Sequence, residues 1–294
     1  MATIGFIGLG LMGQGFVERL IANGHTVIGT DVKASAREAA EALGATTRGS
    51  AAEVADAAEH VLICVTTPKD LDSVVRGEGG ILAAGELGGK VLVDHSTTDI
   101  PLTKALAAAL AEAGMGFVDA PVSGGPDAAR TGSLAIMAGG AEVDFQRVEP
   151  VLSGLGLATR MGEVGAGQAT KLVNQTLVLT NYCVIAEAFR LAEAFGVEAG
   201  KIPEALAPGH AGSNLLNALM PRLVAEDYAP RGYARQILKD LEMLHTATKD
   251  LPLALPIAGQ ALTLFRLLNA GGMAEKDGTA VVTLYPKASE APHS

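Results

Sequence analysis

Short apolar runs broken by glycine-bearing polar turns fill the first half of the chain, and longer amphipathic stretches fill the second. The runs cover residues 3–7, 26–29, 60–65, 90–94, 116–119, 133–138 and 156–160. Runs of this length bounded by turn residues predict strands. Between them, Phe16, Val17, Leu20 and Ile21 recur at helical spacing up to a stop at Asn23-Gly24, and residues 102–113 and 143–152 also read as helices. That alternation predicts an open α/β sheet of about eight strands. After Gly167 a helical pattern runs unbroken to about Phe195. It outlasts an ordinary globular helix and predicts a link between two domains. Residues 201–207, 215–224, 235–248 and 256–270 then read as further helices. Residues 280–284 fit strand or helix, and the small polar tail over 287–294 is expected to fray.

The first turn carries Gly8-Leu9-Gly10-Leu11-Met12-Gly13 between a strand and a helix. There the glycines serve a tight turn, close approach of a pyrophosphate and helix–strand packing, while the helix N-terminus offers free amides to phosphate. Residues 1–163 therefore read as a Rossmann dinucleotide-binding domain, and 164–294 as an all-α domain entered through the long helix at about 167–195. Asp31 ends the second strand at the distance where an acid meets an adenosine ribose. It favours NAD and would repel the 2′-phosphate of NADP, a preference that Lys33 and Arg37 nearby keep moderate. The competing role for Asp31 is to cap the next helix.

Two turns, Thr66-Thr67-Pro68 and His95-Ser96-Thr97-Thr98, follow the carboxyl ends of strands, where open sheets bind ligands. Each can line a nicotinamide or merely cap a helix. The stretch Asp119-Ala-Pro-Val-Ser123-Gly124-Gly125 offers a hydroxyl and closely spaced amides to a carboxylate, or only turns the chain from strand to helix. On the long helix, Lys171, Asn174 and Gln175 share one face. Lys239-Asp240 lies mid-helix, where such a pair is usually a solvated surface feature. Ser213 stands where a helix cap is expected.

Composition narrows the classes. A net charge of −10 disfavours nucleic acid as a partner. The six histidines form no metal-binding motif, so no metal is expected. Cys64 and Cys183 lie far apart in apolar runs and read as buried free thiols of a reducing cytosol. No charged leader precedes the first strand, and no apolar stretch reaches a charge-free span of about 18 residues. A soluble, cytoplasmic protein without a membrane partner is expected.

Four blocks, Gly8–Gly13, Asp119–Gly125, Gly162–Gln175 and Lys239-Asp240-Leu241, stand in an order that resembles the β-hydroxyacid dehydrogenases, the family of 3-hydroxyisobutyrate dehydrogenase and tartronate semialdehyde reductase. The resemblance implies an NAD(P)-dependent oxidoreductase acting on a small carboxylated hydroxy acid or semialdehyde, in homodimers or homotetramers built on the helical domain. It implies that Ser123, Gly124 and Gly125 hold the substrate carboxylate and that Lys171 is catalytic. Lys239 would close the site beside substrate and cofactor. Ser96 and Thr97 would form the nicotinamide-side turn, and Thr67-Pro68 the preceding cofactor loop. Where the hydroxyisobutyrate-like pattern has asparagine four residues after the lysine, this chain has Gln175. The Asn174-Gln175 pair looks more like the tartronate semialdehyde reductase branch, as does His210-Ala-Gly-Ser213, which leaves the substrate side chain open. The competing functions are an NADP-dependent reductase of another small anionic aldehyde, an imine reductase and a non-catalytic binding module. Lys171 counts against the last two.

Overall fold

Each apolar run divides its side chains by parity, which is why the runs become strands of a sheet covered on both faces. Ile4, Phe6, Leu62, Val91 and Val93 enter one core, and Ile7, Val61, Ile63 and Leu92 enter another. The computed structural model describes residues 1–287, and from residue 288 on the tail expected to fray lies outside them.

The sheet-bearing unit runs β1 (Thr3–Ile7), α1 (Leu11–Ala22), β2 (Thr26–Thr30), α2 (Ala34–Ala42), β3 (Thr46–Thr47), α3 (Ala51–Ala57), β4 (His60–Ile63) and α4 (Pro68–Arg76). It continues with β5 (Val91–Asp94), α5 (Ile100–Glu112), β6 (Gly116–Asp119), β7 (Val122–Ser123), α6 (Gly125–Thr131), β8 (Leu134–Gly140), α7 (Glu142–Ser153) and β9 (Gly156–Gly162). Strand order is β3-β2-β1-β4-β5-β6-β8-β7, with β9 on the other side of β8's pairing. Pairing is parallel from β3 to β6, then antiparallel for β6–β8 and β7–β8, and parallel again for β8–β9. Because β1 lies between β2 and β4, the winding reverses there, and the carboxyl ends of β1 and β4 open a crevice.

The sheet has nine strands among the described residues instead of about eight. β3 and β7 are each two residues long, too short for any apolar run to announce them. Helices α2, α3, α4 and α6 were also not resolved by periodicity, since none exceeds nine residues. Cys183 is buried as expected, but Cys64 is only half-buried, because it follows β4 where the crevice opens; neither forms a disulfide.

The long helix is α8 (Ala166–Ala194), within one residue of both expected ends. The compact units divide inside it, between Leu172 and Val173, later than the 163/164 boundary read from the sequence. Its first turn is gripped by Asp119 at the end of β6 and so belongs with the sheet. The second unit adds α9 (Ile202–Leu206), α10 (Asn214–Val224), α11 (Ala234–Thr248) and α12 (Pro256–Leu268). The helix expected over 201–207 is shortened to α9 after a 3-10 turn at Ala199–Lys201, and residues 280–284 belong to a 3-10 helix, Gly278–Leu284. Ser213 caps α10, accepting from the Leu216 amide. Leu179, Phe189, Met220, Leu241, Phe265 and Val281 lie in the core of this unit. Beside them Arg222 and Asp277 form a buried ion pair at 2.9 Å. Among the described residues no helix is long and apolar enough to cross a membrane.

Candidate active site

The crevice at the β1/β4 reversal has a volume of about 750 Å³, and its lining includes Gly8, Gly10, Asp31, Arg37, Val65 and Thr66. Gly8 has φ +93°, and a Cβ there would run into the Cys64 carbonyl; a Cβ on Gly13 would run into the carbonyl of Gly8. Those two glycines let α1 start tight against the sheet. Gly10 is exposed, and a Cβ there would meet nothing within 4 Å, so its missing side chain leaves open room in front of α1. α1 begins without any side-chain cap. Its first amides therefore remain for an anion. A cradle of this shape fits a dinucleotide's pyrophosphate. Leu9 is fully buried and Leu11 exposed, with Met12 between these extremes.

Asp31 does not cap α2, whose N-cap is Lys33 with no side-chain bond. Its carboxylate instead accepts from the Leu9 amide at 2.8 Å and from the Lys33 amide at 2.8 Å, fixing the strand end beside the glycine loop. Thr67 does cap α4: its hydroxyl accepts from the Asp70 amide in a reciprocal capping box, with Pro68 opening the helix. Thr66 lines the crevice. Ser96 is buried, and its hydroxyl accepts from the Val65 amide at 3.0 Å, joining the ends of β4 and β5; Thr97 beside it is half-buried.

Lys171 is 7% exposed, and its Nζ donates to the Val122 carbonyl at 2.8 Å. The chain thus ties the amine one residue before Ser123, at the end of β7. Gly124 (φ +135°) and Gly125 (φ +75°) follow in conformations that strain any side chain, and a Cβ on Gly125 would meet nothing within 4 Å. Lysine and glycine turn, distant in sequence, are adjacent in space.

The start of α8 is held from below. Asp119, at the end of β6, accepts from the Gly165 and Gln168 amides, each at 2.8 Å, and so caps a helix far along the chain. That reach requires the helix to lie on the sheet: a Cβ on Gly167 would collide with the carbonyls of Asp119 and Met137. Asp94 pairs with Asp119 across β5 and β6, and both are fully buried. Burial pushes the Asp94 carboxyl up to about 7, against bonds from Ser96 that lower it, with the Asp119 charge adding to the rise. Burial likewise raises Asp119 to about 6, against the amides that favour its charge. His95, stacked on Phe16, is buried and lowered to about 4 by desolvation; its Nδ1 lies 2.7 Å from the Ala120 carbonyl. Asp94, Asp119 and Gln168 form a polar cluster absent from the sequence-derived site. Their own neighbours along the chain gave no signal, because the cluster is assembled by strand register.

In the helical unit, the Gln175 side-chain amide donates to Asp240 at 2.5 Å, and the Asn174 side chain donates to Oε1 of Gln175 at 2.8 Å. Lys239 pairs with Asp240 at 3.1 Å. The pair is partly buried, not a solvated surface feature, because Asp240 is drawn inward by Gln175.

Residues 3–165 match the NAD binding domain of 6-phosphogluconate dehydrogenase, and residues 165–285 match a domain described as the NAD-binding of NADP-dependent 3-hydroxyisobutyrate dehydrogenase. The 2-hydroxy-3-oxopropionate reductase of Escherichia coli K12 is 35% identical over 280 residues, covering 95% of each chain. The 2-(hydroxymethyl)glutarate dehydrogenase of Eubacterium barkeri is 33% identical over 284 residues, 96% of this chain and 94% of that one. The crystal structure of a 3-hydroxyisobutyrate dehydrogenase from Salmonella typhimurium superposes with a TM-score of 0.87 at 28% identity, over 97% of this chain and 100% of that one.

Proposed function

This chain belongs to the β-hydroxyacid dehydrogenase family of NAD(P)-dependent oxidoreductases, and we propose that Lys171 is the acid–base group for hydride transfer at the β-carbon of a small 3-hydroxy acid or its semialdehyde. The observation that carries this reading is a buried amine tied to the backbone beside a glycine turn. A bound nicotinamide supplies the hydride chemistry. The protein's task is to hold the substrate and move one proton. In oxidation the neutral Lys171 amine takes the hydroxyl proton; in reduction its ammonium returns a proton to the carbonyl oxygen. Ser123, Gly124 and Gly125 receive the substrate carboxylate. Asn174 and Gln175 contact the substrate, and Lys239 adds positive charge for substrate and cofactor in a protein whose net charge of −10 otherwise repels anions. The substrate class is of the 3-hydroxyisobutyrate or 2-hydroxy-3-oxopropionate type.

NAD is the preferred cofactor in this reading. Asp31 lines the crevice with a carboxylate that accepts from ribose hydroxyls and repels a 2′-phosphate. Ser96, Thr97, Thr67 and Pro68 belong to the loops that shape the nicotinamide end. A homo-oligomer is supported by an exposed apolar stripe at heptad spacing on α8, where Leu177 is 63% and Leu191 57% exposed with Val184 between them.

The test is the ultraviolet absorbance of reduced nicotinamide against a panel of small 3-hydroxy acids with both cofactors. Lys171→Ala should lower turnover by about 10²–10⁴-fold while cofactor binding persists. Turnover near wild type in that variant would remove the lysine from the chemistry, and silence of the wild type across the panel would favour a binding module.

A further inference from the structure

Gln168 lies one helical turn before Lys171, on the same face of α8. It is 1% exposed, in a position where a globular helix ordinarily buries an apolar residue. Every polar end of it is used. Its Oε1 accepts from the Thr98 amide at 3.1 Å, its Nε2 donates to the Ser96 carbonyl at 2.8 Å, and its backbone amide donates to Asp119 at 2.8 Å. The turn it grips is itself bonded to the crevice wall, since the Ser96 hydroxyl accepts from the amide of Val65. A continuous hydrogen-bonded path therefore leads from the crevice wall at Val65 through Ser96 and Gln168 into α8. It continues through Lys171 to the Val122 carbonyl, before the Ser-Gly-Gly turn.

We propose that Gln168 is a positioning residue, a side-chain clamp that sets the spacing between the turn Ser96–Thr98 and Lys171. The proposal rests on the reading of Lys171 as the proton-transfer group. Its physical content is that the turn Ser96–Thr98 is locked to the helix that carries Lys171. The bonds made by Gln168 replace water in a buried place, so removing them leaves the Thr98 amide and the Ser96 carbonyl without partners. Proton and hydride transfer demand near-contact geometry, and a displacement of about 1 Å can reduce rate about 100-fold without weakening binding. A glutamine suits this task because one planar amide offers an acceptor and a donor to two backbone groups of the same turn. Alanine offers neither, and glutamate offers only acceptors until it is protonated.

The experiment compares wild type, Gln168→Ala, Gln168→Glu and Lys171→Ala as full-length proteins. It uses backbone hydrogen exchange without cofactor, and steady-state kinetics across pH. In Gln168→Ala, peptides covering residues 94–99 and 163–171 should exchange several-fold faster, and kcat should fall about 10–100-fold with both KM values held within about three-fold. In Gln168→Glu, which keeps the volume and serves if the alanine variant does not fold, part of the lost kcat should return as pH falls and the carboxyl gains a proton to donate to Ser96. A space-filling role would show no such pH-dependent rescue. Unchanged exchange in both Gln168 variants would overturn the clamp, as would faster exchange with unaltered kcat. Lys171→Ala separates the two readings: retained turnover there sinks the acid–base assignment, whereas unaltered exchange in the Gln168 variants sinks the clamp.

Discussion

Asp119 in the sheet unit and Asp277 in the helical unit are both buried carboxylates, and they are satisfied by opposite means. Asp277 has a cation: Arg222 pairs with it at 2.9 Å, while the amides of Arg231, Gly232 and Thr279 donate to its oxygens. Asp119 instead faces the first amides of α8, with a second carboxyl, Asp94, as its strand neighbour. A fixed cation meets its carboxylate with a full charge. Burial raises both carboxyls of the other pair, and only the partial charge of a helix N-terminus at Asp119 and the Ser96 amide at Asp94 oppose it, so both change protonation near neutrality. The rigid solution sits where loops must be stapled, and the responsive one under the helix that carries Lys171.

The comparison breaks most easily at Arg222. Arg222→Ala leaves Asp277 buried and unpaired, and should destabilise the protein by about 3–5 kcal/mol in chemical denaturation. A loss below about 1 kcal/mol would show that the amides alone suffice there. Asp119→Asn puts an amide nitrogen where one oxygen now accepts, so a buried donor loses its partner. We expect a loss of about 2–3 kcal/mol, with faster hydrogen exchange confined to the start of α8.

Protonation sharpens the contrast next. Asp94 is raised to about 7 from its ordinary 3.8, so across that window the folded chain holds a proton that the unfolded chain has released. Its contribution to stability is therefore complete at acid pH and lost as pH rises through about 7. His95 acts oppositely: lowered to about 4 from 6.5, it favours the folded chain above 6.5 and loses that contribution as pH falls through about 4. Asp94→Asn should remove about 2 kcal/mol of the change in unfolding free energy between pH 5 and pH 8, measured as the difference between variant and wild type. Equal pH slopes in the two proteins would contradict a neutral Asp94. The smallest effect is expected at an exposed pair. Lys201→Ala breaks its bridge to Glu198 and should move stability by less than about 0.5 kcal/mol, which calibrates the buried cases.

The glycine turn, the acidic strand end and the lysine helix were legible because each is written in neighbouring residues. Gly8–Gly13 sits between a strand and a helix, and α8 carries its face through i, i+3 and i+4 spacing. Gln168 lies in the same block, Gly162–Gln175, as Lys171, yet its role was invisible, since its partners are backbone atoms of Ser96 and Thr98. Asp119 opened the Ser-Gly-Gly block but attracted no assignment of its own, because the helix it caps begins at Ala166. Thr67 illustrates the reverse: a helix cap was one of the two roles its turn offered in the sequence, and its hydroxyl accepts from the Asp70 amide three residues on.

Periodicity and turn chemistry in the sequence alone determined the dinucleotide-binding half, the long helix and the helical second half, because strands and helices report their period locally. Tertiary structure decided which buried polar groups meet. Strand register set Asp94 beside Asp119, and the closeness that Gly167 permits brought α8 down onto them. Such meetings depend on side-chain reach across elements far apart in the chain, and no local pattern encodes that distance.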